Sequence, residues 1–275
     1  MSALKVVLYG KGGIGKTTVA VHLSAAWAEQ GLRVLHVGCD PKMDSSVRLT
    51  RRDDPPCLVD FVEDGSLQGR KPADLIVRGA LGIDTIEAGG PEPGMGCAGR
   101  GIASLFDFFD THRIDTWPYD VHVFDVLGDL VCGGFVAPIR YGMGDRVVIV
   151  ASAEIMALYA ANSIASVALH HVHERVLLAG IVFNVKQPDA GVHAALTDFA
   201  ARLRTRVLGF VAWDPVVREA ERLHQTVFEY RPESPAAETF RRLAARIAEP
   251  LPADLPLPTP MARREFLAYA KTLDL

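Results

Sequence analysis

The residues with the plainest chemistry stand near the start of the chain. Gly10-Lys11-Gly12-Gly13-Ile14-Gly15-Lys16-Thr17 satisfies the GxxxxGK[ST] pattern, and Thr18 follows it. Glycines at this spacing let successive backbone N–H groups curl around phosphate oxygens, and a helix beginning at the end of the loop adds a positive partial charge. Lys16 is expected to reach the β- and γ-phosphates and the Thr17 hydroxyl to hold Mg²⁺. Val123-Phe124-Asp125 ends an apolar run with a carboxylate, as the aspartate of a Mg²⁺ shell does. Alone, Asp125 reads as a strand-end turn residue; the phosphate loop upstream reverses that.

A second lysine, Lys11, lies inside the loop. Its ammonium does not fold back easily onto phosphates already held by Lys16, and it points instead to a nucleotide bound by a partner subunit. That position marks the deviant Walker A group of dimeric ATPases.

The four cysteines, Cys39, Cys57, Cys97 and Cys132, form no CxxC and are too few for a disulfide scaffold. Cys97 sits in the glycine-crowded stretch Gly89–Gly101, at the start of an expected helix. Cys132 follows Asp125 by seven residues, at most about 23–25 Å of extended chain. A [4Fe–4S] cluster usually takes four thiolates, and a two-fold homodimer would supply two from each subunit. From spacing alone two buried structural cysteines are the better account, because free cysteine is among the most buried residue types.

The elements that must position these groups read as strands at Leu4–Tyr9, Arg33–Val37, Ile83–Glu87, Val121–Phe124, Val147–Val150, Val176–Val182 and Val207–Val211. Helical spacing covers Thr17–Gln30, Ala98–His112, Ala153–His171, Val192–Arg204 and Ala236–Glu249. Strands alternating with helices predict an α/β P-loop fold with a mostly parallel sheet flanked by helices. Pro250–Pro260 (PLPADLPLPTP) is too proline-rich for helix or central strand and predicts an extended arm, followed by a last helix over Met261–Leu273. The expected organisation is one domain over 1–249 and a C-terminal arm over 250–275.

With 275 residues, 29 Lys+Arg and 33 Asp+Glu, the formal net charge is −4, which leaves no basic excess for coating nucleic acid. No apolar run approaches the ~20 residues of a membrane span, and Met1–Tyr9 is too short for a signal segment. A cytoplasmic protein with reduced thiols or metal ligands is expected, with no membrane partner.

Taken together, YGKGGIGKTT, VGCDPKMDSS, EAGGPEPGMGCAGRG, FDVLGDLVCGGFVAPIR, LYAANSI and VFEYRPES make the chain resemble the nitrogenase iron proteins (the dinitrogenase reductase family) over nearly its whole length. Partition ATPases share the first motif but not the two cysteine segments. The resemblance implies that Cys97 and Cys132 ligate a [4Fe–4S] cluster shared by two subunits. It implies phosphate contacts from Lys11, Lys16, Thr17 and Thr18, and a first switch segment in which Asp40 and Asp44 serve Mg²⁺ and hydrolysis. Asp125, Gly128 and Asp129 would form a second switch, and Asn184 would meet adenine. Arg100 matches a docking-face arginine that is ADP-ribosylated in some members.

Some positions depart from the family pattern. Ala212-Trp213-Asp214 replaces a Pro-Arg pair before the aspartate, and Ala236 stands where a glutamine is usual, so Trp213 stacking is expected to hold adenine. Tyr141-Gly142-Met143-Gly144 replaces charged residues after Arg140, and the segment before Cys97 is shortened and carries Pro55, Pro56 and Cys57. The implied function is that of a homodimeric, MgATP-dependent electron donor, reduced by ferredoxin or flavodoxin and docking on a two-subunit nitrogenase or nitrogenase-like catalytic protein. The alternatives are the same role toward a methylthio-alkane or tetrapyrrole reductase, or a cluster-free partition or positioning ATPase.

Among lesser features, His170-His171-x-His173 reads as a solvated helix end, Cys39 as a small packed residue, and Trp27 and Trp117 as core or edge packing. No role is assigned to Cys57. The C-terminal arm is expected to lie across the neighbouring subunit of a dimer.

Overall fold

The strands of this chain are near-continuous apolar runs, as strands buried on both faces must be. In β1 (Leu4–Tyr9), Val7 and Tyr9 enter one core while Val6 and Leu8 enter another on the opposite face. The computed structural model describes residues 3–90, 98–128, 136–171, 177–187 and 189–273, but not the side chains of Ala98, Arg100 and Asp115. Cys97, Asp129, Cys132 and His173 therefore lie outside the described residues.

The other strands are β2 (Val34–Cys39), β3 (Val77–Arg78), β4 (Asp84–Glu87), β5 (Val121–Val126), β6 (Arg146–Ser152), β7 (Leu177–Val185) and β8 (Val207–Ala212). They form one sheet in the order β3-β4-β2-β5-β1-β6-β7-β8, parallel throughout except for the β3–β4 pair. Helices Ala98–Thr111, Ile155–His170, Ala190–Arg202 and Arg263–Ala270 pack on the first face. Helices Lys16–Glu29 and Pro235–Ala248 cover the second.

The expected α/β architecture is present. The two-residue β3 escapes a periodicity reading because it is too short to alternate. Helix Pro215–Arg222 was also not expected; Asp214 caps it by accepting a hydrogen bond from the Val216 amide at 2.8 Å, and Pro215 occupies its first position.

The arm carries no helix or strand over Pro250–Pro260, and the last helix is shorter than predicted, Arg263–Ala270. After the arm, the chain is anchored on its own body. The Asn162 side chain donates to Met261 O at 2.9 Å and accepts from Met261 N at 2.7 Å, while Phe266 and Tyr269 are buried in the first core. Among the described residues no helix is long and apolar enough to cross a membrane.

Candidate nucleotide site

In a parallel sheet the loops that follow the strands collect at one edge, outside the carboxyl ends, and ligands bind there. The phosphate loop leaves β1, the Asp40–Ser46 segment leaves β2, and Asp125 stands at the end of β5. Ser152, Asn184 and Trp213 stand at or just beyond the ends of β6, β7 and β8. The sheet thus assembles residues spread across two hundred positions.

The loop has the shape its glycines predict. Gly13 and Gly15 take φ of +76° and +89°, the left-handed region that a Cβ disfavours, and Gly15 opens helix Lys16–Glu29. Gly10 is packed against the carbonyl of Val150, leaving no room for a side chain. Lys11, Gly12 and Gly13 are exposed. Gly128, two residues after β5, lies directly on Gly12.

Lys16 is buried and donates from Nζ to Asp125 Oδ1 at 2.9 Å. Thr17 Oγ1 donates to Asp125 Oδ2 at 2.7 Å, and Ser45 Oγ donates to the same oxygen at 2.8 Å. Burial works to raise the Asp125 pKa, but the Lys16 charge and these hydrogen bonds outweigh it, so the carboxylate lies below its ordinary range. The anion is thus held by donors of the kind that magnesium and phosphate engage, and a Mg²⁺–nucleotide fits this constellation.

Asp40 and Asp44 flank the same centre on a tight turn. Asp40 Oδ1 accepts from the Lys42 amide at 3.1 Å, and Met43 takes φ of +53°. Partial desolvation, then the charges of Asp40 and Asp125, raise the Asp44 carboxyl above its usual range, although the residue as a whole is exposed. Glu87, at the end of β4, accepts from the Ser46 amide at 2.7 Å and is fully buried, and burial pushes its pKa to about 8.

A cavity of about 470 Å³ opens beside the loop, lined by Gly15, Thr18, Asn184, Trp213, Asp214 and Glu221 among others. Asn184 lies within β7 rather than after the strand, and its Nδ2 donates to Ile14 O at 2.6 Å. Among the described residues its Oδ1 has no hydrogen-bond partner although it is buried, an acceptor suited to an exocyclic amine such as that of adenine. Trp213 is 61% exposed at the rim, with a ring face available for stacking. The Asp214 carboxylate is engaged in capping its helix, and Ala236 is buried in the second core instead of lining the cavity. Arg48 was not anticipated; it donates to Thr18 Oγ1 at 3.2 Å and pairs with Glu221, tying helix Val47–Thr50 to the cavity wall.

Both cysteine-bearing segments leave this same edge of the sheet. The stretch before Ala98 follows β4 and the stretch after Gly128 follows β5, with only β2 between them. Among the described residues no group of three His, Cys, Asp or Glu side chains is arranged to hold a metal. Cys39 is fully buried in the first core, as expected, and burial drives its thiol well up. Cys57 does have a place: it is buried, caps helix Leu58–Glu63, and packs its sulfur against Gly89. His170 is exposed and hydrogen-bonds only back to Ser166 O.

Sequence reasoning missed Ser24, His36, Ser45, Glu87, Arg48 and Glu221. The one available signal was polarity inside an apolar run, His36 in VLHVGC, since a polar side chain in a doubly covered strand must have a partner.

Comparison with known proteins agrees with this geometry. A family model described as 4Fe-4S iron sulfur cluster binding proteins, NifH/frxC family, matches residues 4–275. A nitrogenase iron protein of Methanospirillum hungatei is 37% identical over 277 residues, covering 98% of this chain and 97% of that one. Among solved structures, the septum site-determining protein MinD of Pyrococcus horikoshii complexed with Mg-ADP is similar with a TM-score of 0.69 at 23% identity, covering 90% of this chain and 96% of that one. A ParA family ATPase of Chlorobium tepidum gives 0.68 at 16% identity, covering 88% and 98%. These likenesses in structure concern the fold alone.

Proposed function

Because the chain belongs to the NifH/frxC family of 4Fe-4S iron–sulfur cluster binding proteins, we propose that it is the ATP-hydrolysing reductase component of a nitrogenase or nitrogenase-like system. In this reading it is a cytoplasmic homodimer that accepts electrons from a ferredoxin or flavodoxin and docks on a two-subunit catalytic protein. The observation that carries the reading is the continuity of one segment. Asp125, on which Lys16, Thr17 and Ser45 converge, is joined by seven residues to Cys132.

The work of the chain's own residues follows from this. The amides of the loop Gly10–Thr17 and the Lys16 ammonium hold the phosphates, so Lys16 must leave Asp125 when nucleotide arrives. Thr17 and Asp125 would hold Mg²⁺, which when bound neutralises charge on the phosphates. Asp40 and Asp44 orient the attacking water or couple hydrolysis to docking, and Asp129 acts near the partner's nucleotide, as does Lys11. Asn184 accepts from the adenine amine, Trp213 stacks on the ring, and Thr18 and Asp214 complete the wall. Gly128, seated on Gly12, transmits loop movement into the second switch, so that γ-phosphate contacts select between two arrangements of the segment. Cys97 and Cys132 from each subunit would hold the [4Fe–4S] cluster, which when bound supplies one-electron transfer.

A partner other than nitrogenase itself, a methylthio-alkane or tetrapyrrole reductase, is favoured by one feature. Tyr141, in the stretch that departs from the family, is exposed and donates to Asp107 Oδ1, a phenol where charged residues are usual.

The test is iron and acid-labile sulfide per dimer on anaerobically purified protein, with Cys97→Ala and Cys132→Ala beside it. About four irons, lost in either variant and chelated faster with MgATP, support the reading. An iron-free dimer that still hydrolyses ATP returns the protein to the positioning ATPases.

A further inference from the structure

A file of buried polar side chains runs from the phosphate-loop helix to the magnesium aspartate. Ser24 of helix Lys16–Glu29, His36 of β2, Ser45 of the first switch segment and Asp125 of β5 are each fully buried. Ser24 Oγ lies 2.8 Å from His36 Nδ1, His36 Nε2 lies 2.8 Å from Ser45 Oγ, and Ser45 Oγ lies 2.8 Å from Asp125 Oδ2.

The proton directions are forced. An ionised carboxylate only accepts, so Ser45 gives its single hydroxyl proton to Asp125. The Ser45 oxygen is then the acceptor for His36, which must carry its proton on Nε2. A neutral imidazole has one N–H, and burial that lowers the His36 pKa to about 4 keeps it neutral. Nδ1 is therefore an acceptor, and Ser24 donates to it. Every member of the file is satisfied in one orientation only.

We propose that His36 is a positioning residue of the nucleotide site, whose Nε2–H keeps the Ser45 hydroxyl aimed at Asp125 and the first switch segment latched to it. The proposal rests on the ATPase reading above. Lys16 and Thr17 also donate to this carboxylate, but the Lys16 ammonium is drawn to the phosphates and the Thr17 hydroxyl serves Mg²⁺ as well. Ser45 has no such second duty, and His36 and Ser24 hold it from behind. Its loss leaves the carboxylate free to rotate at the moment it must face the cation, so the cost falls on Mg²⁺-dependent binding.

The experiment is calorimetric titration of the full-length dimer with ADP, with and without Mg²⁺, for the unaltered protein, His36→Leu, His36→Gln and Ser45→Ala. His36→Leu and Ser45→Ala are expected to weaken Mg-ADP about tenfold while leaving Mg-free ADP within about twofold, the size of one hydrogen bond to a charged group. His36→Gln, which keeps an N–H donor, is expected to restore most of the loss. Equal losses with and without Mg²⁺, or unchanged Mg-ADP affinity in folded His36→Leu, overturn the proposal. Should His36→Leu not fold, ¹⁵N-histidine spectra of the unaltered protein decide: the resonance missing in His36→Gln must show a neutral, Nε2-protonated ring, and an Nδ1-protonated ring overturns the proposal. No ADP binding by the unaltered protein rejects the ATPase reading itself, and the proposal with it.

Discussion

Gly128 rests on Gly12: a Cβ built on Gly128 would stand 2.5 Å from the Gly12 amide nitrogen and 2.8 Å from its Cα. Both contacts are backbone, so nothing flexible can give way. Gly128→Ala must push the phosphate loop out of the curvature its left-handed glycines set. We predict that MgATP affinity falls by about 5- to 150-fold, given that backbone displacement costs on the order of 1–3 kcal/mol. Gly69→Ala, at an ordinary φ with nothing within 4 Å of the built Cβ, is the control and should bind as the unaltered chain does. Equilibrium nucleotide titration of both variants checks this.

Asn184 has two duties, and substitution separates them. Its Nδ2 holds Ile14 O, and its Oδ1 is the orphaned acceptor of the cavity. Asn184→Asp keeps an acceptor but sets an anion against the Ile14 carbonyl. Asn184→Ala loses both roles, and a Kd rise for ATP of roughly 10- to 100-fold is expected from two lost hydrogen bonds. The same change should shrink the preference for ATP over GTP, because the amine acceptor is gone. Competition binding with the two nucleotides reads both effects.

Much of the site was legible because its signals are local. The phosphate loop is contiguous, and Asp125 was found by its place at a strand end downstream of that loop. Gly12 and Gly128 were both picked out, yet their contact was not, because it depends on β1 and β5 lying side by side. The file Ser24–His36–Ser45 was illegible for the same reason: three residues on a helix, a strand and a loop carry no common spacing. The grip of Asn162 on Met261 was illegible too, because one polar residue among several in a mostly apolar helix carries no sign of a partner 99 residues away.

Trp213 should report nucleotide directly. Of the three tryptophans, Trp27 is buried and Trp117 is partly buried with its Nε1 donating to His112 O, whereas Trp213 is 61% exposed on the cavity rim. Stacking of adenine on this ring predicts quenching of its emission on ADP addition. Trp213→Phe should lose the quench but keep most affinity, and Trp213→Ala should weaken ADP by about 5- to 50-fold, the worth of one base–aromatic stack. A quench that survives in Trp213→Phe would assign the signal elsewhere and leave the ring without this role.

The buried Glu87 makes stability depend on pH in a definite direction. Burial raises its pKa to about 8 from the ordinary 4.5, so the folded chain keeps a proton that the unfolded chain releases. Its contribution is fully present below about pH 4.5 and is lost progressively as pH rises to about 8, by at most about 1.4 kcal/mol per pH unit. His22 and His36 act oppositely, since burial lowers them to about 3 and about 4, and their contribution is lost as pH falls below 6.5. Glu87→Gln retains an oxygen for the Ser46 amide and removes the ionisation. Its melting temperature should therefore exceed that of the unaltered chain at pH 8 by more than at pH 5.5, with the acid limb unchanged. Thermal melts across pH 4–9 give the answer, and parallel curves for the two proteins would mean that Glu87 ionises in the folded chain as it does in water.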